Sequence, residues 1–278
     1  MLKRQFTLNV TPERIIYGDF RVPEYHDGKP LIIFCHGFKG FKDWGGWQYA
    51  LDKFAINGFF VISINFSFNG IGGDLQNFTD LNKFGVNTIG KELEDIDMIM
   101  TAVEDGQLFP EISAQPKTGL IGHSRGGGTV ILYAAQKKSI ISVVTWAGVA
   151  NFDSYLSQAQ VWRDRGYLEF ENKRTQQMMR MNLDFLNDLE SNVADRNILR
   201  AEAGLGIPHL IIHGDRDEAV SSDHARNLLN ASDKTKTRLE IIKGGTHTFG
   251  CAHPFSGSGE PFDTVIHKTA EWFRNFLS

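Results

Sequence analysis

The feature that most constrains the fold is a glycine-flanked serine, GHSRG at residues 122–126. Residues 118–121 are typical of a short buried strand, and residues 127–135 are typical of a helix with a small first turn. Where a strand turns this sharply into a helix, the serine backbone is strained, and side chains two residues away on either side would collide. The two glycines therefore predict that Ser124 is held out as a nucleophile, with an idle serine in a packing turn as the alternative.

The same glycines do not fit a phosphate-binding loop. A Walker loop requires Lys followed by Ser or Thr after its last glycine, and neither pair follows here. A dinucleotide fingerprint requires G-x-G-x-x-G directly after a strand, whereas Gly126, Gly127 and Gly128 form one run. The turn therefore does not predict a nucleotide site.

Strands and helices alternate along the chain, which predicts an α/β fold with a mostly parallel twisted sheet and helices on both faces. Residues 6–10 and 14–20 predict an opening antiparallel pair, and the apolar run at 31–35 is typical of a central strand. Further strands are predicted at 59–66, 118–121, 141–146, 208–213 and 238–242. Helices are predicted at 47–56, at 87–104, after Ser124 and at 262–276, with a loop at 70–82.

The interval 151–206 interrupts this alternation. It lacks β-branched runs, and its apolar residues recur at helical spacing: Met178, Met179, Met181, Leu183, Phe185, Leu186 and Leu189. Because the break falls between two core strands, we predict that 151–206 is a helical cap inserted over the strand ends, where open α/β sheets bind ligands. Residues 1–150 and 207–278 then form the α/β core, and amphipathic helices that only pack on the sheet are the alternative.

Charge and composition narrow the classes of partner. The 278-residue chain has a net charge of −4, a pI near 6.1 and no basic run with interleaved aromatics, which gives no electrostatic case for nucleic acid or an anionic membrane. The first residues lack the apolar segment of a signal peptide, and no segment approaches a membrane span. The two cysteines are too few for a disulfide framework, so a reducing, cytoplasmic location is the default expectation.

A serine hydroxyl needs a base that accepts its proton and an acid that orients the base. In a sheet of this type the chain order is Ser, then Asp or Glu, then His, each in a loop after a late strand. HGDRD at 213–217 follows one predicted strand, and GGTHTF at 244–249 follows the next. The candidate base is therefore His247, and the candidate acids are Asp215 and Asp217.

The other histidines of these segments are weaker candidates. His213 ends a strand and is expected to be structural, and His123 is expected to point the wrong way for a base. His247, Cys251 and His253 share one loop but match no recognised zinc-ligand pattern, so no metal site is predicted.

Backbone N–H groups must meet the oxyanion that forms when an acyl carbonyl is attacked. One is expected from Arg125, directly after the nucleophile. The other is expected from Phe38 in the loop HGFKG at 36–40, where Gly37 lets the backbone fold under the nucleophile. A plain glycine turn is the alternative for this loop taken alone.

Together these segments resemble the α/β-hydrolase fold, and within it the branch around dienelactone hydrolases, cinnamoyl (feruloyl) esterases and prolyl-oligopeptidase catalytic domains. The matching pieces lie in family order between about residue 31 and residue 278: HGFKG, NFSFNG, GHSRGG, HGDRDEAV and GGTHTF. The resemblance implies nucleophile Ser124, acid Asp217, base His247, backbone oxyanion donors Phe38 and Arg125, and no cofactor.

Three departures refine the resemblance. The oxyanion loop is HGFKG and not HGGG, which argues against a lipase or a hormone-sensitive-type esterase. The nucleophile is serine, where dienelactone hydrolases proper use cysteine. No propeller domain is expected before the catalytic part, which argues against a true prolyl oligopeptidase.

The expected function is a serine hydrolase, a carboxylesterase that cleaves a small-molecule ester through an acyl-enzyme. A peptidase or amidase acting on short peptides is one alternative, and a non-catalytic hydrolase-fold protein that binds a ligand is another. Trp162, Tyr167 and Phe170 are expected either to line an apolar acyl pocket or to pack the cap down. The sequence leaves the substrate and the oligomeric state open.

Overall fold

The strands of the protein follow the predicted alternation. The computed structural model describes residues 1–25, 27–106, 108–112, 115–172 and 175–277. The strands are β1 (Leu2–Asn9), β2 (Ile15–Val22), β3 (Leu31–Cys35), β4 (Phe60–Asn65), β5 (Thr118–His123), β6 (Ile140–Trp146), β7 (Tyr167–Asn172), β8 (Gln177–Asn182), β9 (His209–Gly214) and β10 (Thr237–Ile242). One eight-stranded sheet has the order β1-β2-β4-β3-β5-β6-β9-β10.

Most of this sheet is parallel. β1 pairs with β2, and β2 with β4, in antiparallel register, whereas the other neighbours in the sheet pair in parallel. The predicted opening antiparallel pair and the mostly parallel sheet are therefore confirmed. Because β5, β9 and β10 run in parallel, their carboxyl ends meet at one edge of the sheet. The loops that leave these ends carry Ser124, Asp217 and His247.

Helices cover the faces of the sheet. They are α1 (Trp47–Ile56), α2 (Leu81–Gly85), α3 (Ile89–Asp105), α4 (Arg125–Ala134), α5 (Asp153–Leu156), α6 (Ala159–Arg165), α7 (Leu183–Ser191), α8 (Ile198–Ala203), α9 (Asp223–Ala231) and α10 (Glu260–Leu277). Alternate residues of β3 face opposite cores: Ile32 and Phe34 pack with α1 and α10, and Leu31 and Ile33 pack with α3 and α4. Burial of β3 at every position follows from this two-sided cover.

The interval 151–206 is not purely helical, which corrects the sequence prediction. It contains α5, α6, α7 and α8, but β7 and β8 form an antiparallel hairpin between α6 and α7. The methionines assigned to helical spacing lie on β8, where Met178 is exposed and Met179 and Met181 are buried. This alternation has the period of a strand, which the unbranched side chains of methionine conceal in a propensity-based assignment.

The hairpin and α7 pack against the core near the carboxyl edge of the sheet. β8 contacts α2, and α7 contacts α3. Phe170 of β7 lies 5.0 Å, between ring centroids, from Phe38 in the loop after β3. The segment therefore lies beside the loop that is predicted to hold the oxyanion.

In the part of the chain that the structure describes, no helix combines the length and apolarity needed to cross a membrane.

Candidate active site

Ser124 occupies the turn between β5 and α4 in a strained conformation. Its backbone angles are φ 56° and ψ −121°, in a region that residues with side chains rarely adopt. Neighbouring backbone lies too close to both flanking residues for either to carry a side chain. A Cβ on Gly122 would lie 2.3 Å from the carbonyl oxygen of Gly126, and a Cβ on Gly126 would lie 2.4 Å from the carbonyl oxygen of His36. The serine itself is partly exposed.

The loop after β3 touches the nucleophile. A Cβ on Gly37 would lie 2.8 Å from Cβ of Ser124 and 3.3 Å from its Oγ, so only a residue without a side chain allows this approach. Phe38 directly follows Gly37, and Arg125 directly follows Ser124. Both predicted oxyanion donors therefore belong to residues next to the contact between the loop and the serine.

His36 holds this loop in place. Its Nδ1 donates to the carbonyl oxygen of Gly37 at 2.9 Å, and its Nε2 accepts from the N–H of Phe66 and from Nδ2 of Asn69, each at 3.2 Å. These bonds require the neutral ring, and burial lowers the pKa of His36 to about 4. The sequence shows His36 only as part of a motif, because its partners are distant along the chain.

His247 and Asp217 form a hydrogen-bonded pair. Nδ1 of His247 lies 2.8 Å from Oδ2 of Asp217, and the Asp217 side chain is fully buried while that of His247 remains 24% exposed. Burial acts to raise the pKa of Asp217, but hydrogen bonds from His213 and His247 outweigh it and hold that pKa well below its usual range. Asp217 is therefore an ionised acceptor that fixes the histidine tautomer with its proton on Nδ1.

The surroundings of Asp217 and Asp215 distinguish the two candidate acids. Oδ1 of Asp217 accepts the N–H groups of Ala219 and Val220, each at 2.9 Å, while its other oxygen faces His247. Asp215 is exposed, and its Oδ1 accepts the N–H of Gly244 at 2.7 Å. Asp215 thus ties the loop after β9 to the loop after β10 and does not contact the candidate base in the structure.

His213 supports Asp217 from the end of β9. Its Nε2 lies 2.9 Å from the carbonyl oxygen of Val220 and 3.2 Å from Oδ2 of Asp217. A structural role for His213 was expected from the sequence, but its contact with the candidate acid was not. The spacing of four residues in HGDRD was the available signal, because the sharp turn after the strand brings both side chains together.

His123 links the nucleophile turn to His247. Its Nε2 donates to the carbonyl oxygen of His247 at 2.9 Å, and the two rings lie 4.8 Å apart between centroids. Burial and the neighbouring His247 lower the pKa of His123 to about 3, so this ring stays neutral. His123, which directly precedes Ser124, therefore holds the His247 backbone beside the nucleophile turn, and its Nε2 is occupied as a donor.

Arg125 is buried beneath the candidate site. Its Nη2 lies 2.5 Å from Oε1 of Glu92, whose other oxygen accepts from Oγ1 of Thr129 at 3.0 Å. The guanidinium carbon lies 4.8 Å from the Phe38 ring centroid and 5.3 Å from that of Phe185. Only the backbone of Arg125 was expected at the site, since nothing in the sequence pattern connects its side chain with a glutamate on α3.

The three aromatic residues expected to line an acyl pocket lie in different surroundings. Trp162 is fully buried, and its Nε1 donates to the carbonyl oxygen of Met181 at 3.0 Å. Tyr167 packs under Arg180, whose guanidinium carbon lies 4.4 Å from the ring centroid. Phe170 alone of the three contacts the Phe38 ring. The burial of Trp162 favours a role in packing the segment 151–206 on the core. Phe170 lies beside the candidate site and remains a candidate for the acyl pocket.

Across the described residues, no group of three or more His, Cys, Asp or Glu side chains is arranged to hold a metal ion. Both cysteines, Cys35 and Cys251, are buried and unpaired.

Comparison with known proteins agrees with this architecture. The sequence model described as alpha/beta hydrolase fold matches residues 30–177, and that described as BAAT / Acyl-CoA thioester hydrolase C terminal matches residues 107–248. A curated relative, the uncharacterized peptidase YuxL of Bacillus subtilis (strain 168), is 24% identical over 289 aligned residues, with 99% of this chain aligned. This chain spans only 40% of that relative's length.

Solved structures share the fold at low identity. Est1E from Butyrivibrio proteoclasticus, solved with ferulic acid bound, has a TM-score of 0.72 and 16% identity, over 97% of this chain and 98% of that one. A puromycin-hydrolyzing peptidase from Mycobacterium tuberculosis has a TM-score of 0.71 and 17% identity, over 99% of this chain and 39% of that one. At these identities the structures support the fold alone. With a family model matching more than half of its length, the chain belongs to the α/β-hydrolase fold family.

Proposed function

We propose that this α/β-hydrolase is a serine hydrolase, a carboxylesterase that cleaves small acyl esters. One observation carries the proposal: a strained, partly exposed Ser124 shares a sheet edge with His247, whose Nδ1 is held at 2.8 Å by the buried Asp217. A base oriented in this way presents Nε2 toward a nucleophile. The hydrogen bond from His123 to the His247 backbone, next to the serine turn, supports a single site.

The reaction follows from these groups. Ser124 Oγ attacks the acyl carbonyl while Nε2 of His247 takes its proton, and the N–H groups of Phe38 and Arg125 receive the developing oxyanion. The imidazolium, stabilised by ionised Asp217, then protonates the leaving alcohol. A water molecule, deprotonated by His247, hydrolyses the acyl-enzyme and restores Ser124. None of these steps calls for a cofactor.

A peptidase or amidase is the second candidate, because the same acyl-enzyme chemistry serves amides. The name of the Bacillus relative and the activity in the name of the mycobacterial protein favour this candidate. A non-catalytic binding protein is the third, and the pairing of His247 with Asp217 argues against it, since ligand binding alone does not require an oriented base. We propose a reducing, cytoplasmic setting, which the two unpaired buried cysteines support.

A panel of substrates tests the proposal. The wild-type protein is assayed with p-nitrophenyl esters, acyl thioesters and aminoacyl p-nitroanilides, with Ser124→Ala as the matched control. We expect hydrolysis of the esters at a kcat/KM well above that for the anilides, abolished in the control. Turnover confined to the anilides would replace the esterase by the peptidase, and binding of esters without turnover would favour the non-catalytic alternative.

A further inference from the structure

Two donors of the Arg125 guanidinium lack a partner in the described structure. Arg125 is 5% exposed and donates from Nη2 to Glu92, and the Tyr155 hydroxyl also interacts with the guanidinium, but Nε and Nη1 have no acceptor within hydrogen-bonding geometry. Buried donors are satisfied in nearly all native proteins, so an unsatisfied pair next to a nucleophile points to a ligand. Arg125 is also the first residue of α4, a ten-residue helix whose N-terminal N–H groups favour electron-rich oxygen.

The surroundings of the guanidinium are aromatic. Phe38 and Phe185 contact it, and Tyr155 and Phe170 pack on the Phe38 ring, with centroids 6.1 and 5.0 Å away. Phe38, Tyr155 and Phe170 are partly exposed. Partly exposed aromatic rings therefore lie between the surface and the buried guanidinium.

The charge of the guanidinium is already balanced. Glu92, whose side chain is 2% exposed, lies 2.5 Å from Arg125 and neutralises it. Burial raises the pKa of the Tyr155 phenol, so Tyr155 adds no charge at neutral pH. A carboxylate bound here would leave a net negative charge among aromatic rings, whereas a neutral carbonyl oxygen accepts from Nε or Nη1 without that cost.

We propose that Nε and Nη1 of Arg125 bind a second, neutral carbonyl oxygen carried by the acyl part of the substrate, as in N-acylaminoacyl esters. The inference rests on the proposed function and names its substrate class. His247 must face the leaving group in order to protonate it. His247 contacts His123 and Asp217, whereas the guanidinium contacts Phe38 and Phe185, and the proposal therefore puts Arg125 on the acyl side.

Two esters with equal chain length test this subsite. p-Nitrophenyl N-acetylglycinate carries the second carbonyl, and p-nitrophenyl pentanoate does not. The intrinsic reactivities of the two esters differ. The quantity measured is therefore the kcat/KM for the N-acetylglycinate divided by that for the pentanoate, and this ratio is compared between each variant and the wild type. Arg125→Lys keeps a cation for Glu92 but lacks the planar fork, and we expect it to lower the ratio about tenfold or more. The double variant Arg125→Met/Glu92→Gln, which leaves no unpaired charge, should lower it equally.

Arg196→Lys is the control, because Arg196 forms a comparable bidentate pair with Asp188 and has no part in the proposed subsite, so this variant should leave the ratio unchanged. A ratio that is the same in the Arg125 variants as in the wild type would overturn the inference while ester turnover through Ser124 kept the proposed function intact. The inference would also be overturned, in favour of a carboxylate ligand, if the Arg125 variants lowered kcat/KM more for ethyl hydrogen succinate than for ethyl N-acetylglycinate.

If the wild type hydrolyses neither ester, the proposed function fails. The Arg125 subsite is then tested separately, by measuring ligand binding. Calorimetry with N-acetylglycine methyl ester on Ser124→Ala should then give binding that is weakened about tenfold in Ser124→Ala/Arg125→Lys. Equal binding, or none in either variant, would overturn the subsite.

Discussion

Nδ1 of His247 lies 2.8 Å from Oδ2 of Asp217, a carboxylate whose side chain is completely buried and whose other oxygen is held by two backbone N–H groups. A carboxylate fixed in this way can hold an imidazole in one tautomer and stabilise the imidazolium. Asp215, two residues earlier, is exposed and bonds to Gly244 instead. The two aspartates therefore have separable effects.

Asp217→Asn should lower kcat by roughly two to four orders of magnitude, because the amide keeps the shape but loses the charge and admits the wrong tautomer. Asp215→Asn should instead cost about 1 kcal/mol of stability, since it weakens one bond between two loops, and should leave turnover nearly intact. Steady-state kinetics and urea unfolding of both variants check this. Exchanged phenotypes would make Asp215 the acid.

Gly37→Ala should lower kcat/KM by about two orders of magnitude or more, as expected when the oxyanion loop cannot reach the substrate. The added Cβ would lie 2.8 Å from Cβ of Ser124, so the loop or the serine must move. Gly204→Ala is the matched control, because a Cβ there meets no atom closer than 3.7 Å. Wild-type activity in Gly37→Ala would place the oxyanion site elsewhere.

His36 makes stability depend on pH. Its pKa is about 4 in the folded protein against 6.5 as the ordinary value, so the unfolded chain takes up the proton first on acidification. The stabilisation is complete above pH 6.5 and is lost as pH falls toward 4. We expect His36→Gln to be less stable than the wild type at pH 7, and the difference to shrink by about 2 to 3 kcal/mol at pH 4.5.

Urea unfolding at the two pH values measures this change. Asp95, whose pKa is raised by burial to about 6, contributes the opposite slope, but it does so in both proteins and cancels in the difference. A difference that stays constant with pH would mean that His36 is not buried in the neutral form.

Phe170→Ala should change the relative rates for long and short acyl esters about tenfold while sparing acetate, because Phe170 packs on the Phe38 ring beside the serine. Tyr167→Ala, on the same strand but stacked against Arg180, is the comparison variant and should leave acyl preference unchanged. Kinetics on an acetate-to-octanoate series checks both. An equal loss of rate for every ester in Phe170→Ala would make the hairpin a support and not a specificity element.

Much of the core could be predicted from the sequence because strong local signals agree there. The glycines at 122 and 126 fix a turn whose sterics leave few alternatives, and the apolar run at 31–35 identifies a strand covered on both faces. Helix α1 spans Trp47–Ile56, the range that the periodicity predicts. In these places propensity, pattern and tertiary structure point the same way.

The rest depends on contacts between distant residues. Methionine has no strong preference for strand, so β8 was interpreted as helix although Met179 and Met181 flank an exposed Arg180. Glu92 and Arg125 are 33 positions apart, and His36 meets Asn69 only after the sheet has formed. The fully buried position of Trp162 follows from the packing of the hairpin, which the sequence did not predict.

Labelling of the nucleophile tests the central claim most directly. The wild-type protein is treated with a fluorophosphonate, digested and mapped by mass spectrometry, and Ser124→Ala is treated in parallel. We predict one adduct, on Ser124, with the variant unlabelled, folded, and about four to six orders of magnitude slower on an activated ester. An adduct on another serine, or substantial turnover by Ser124→Ala, would contradict the account.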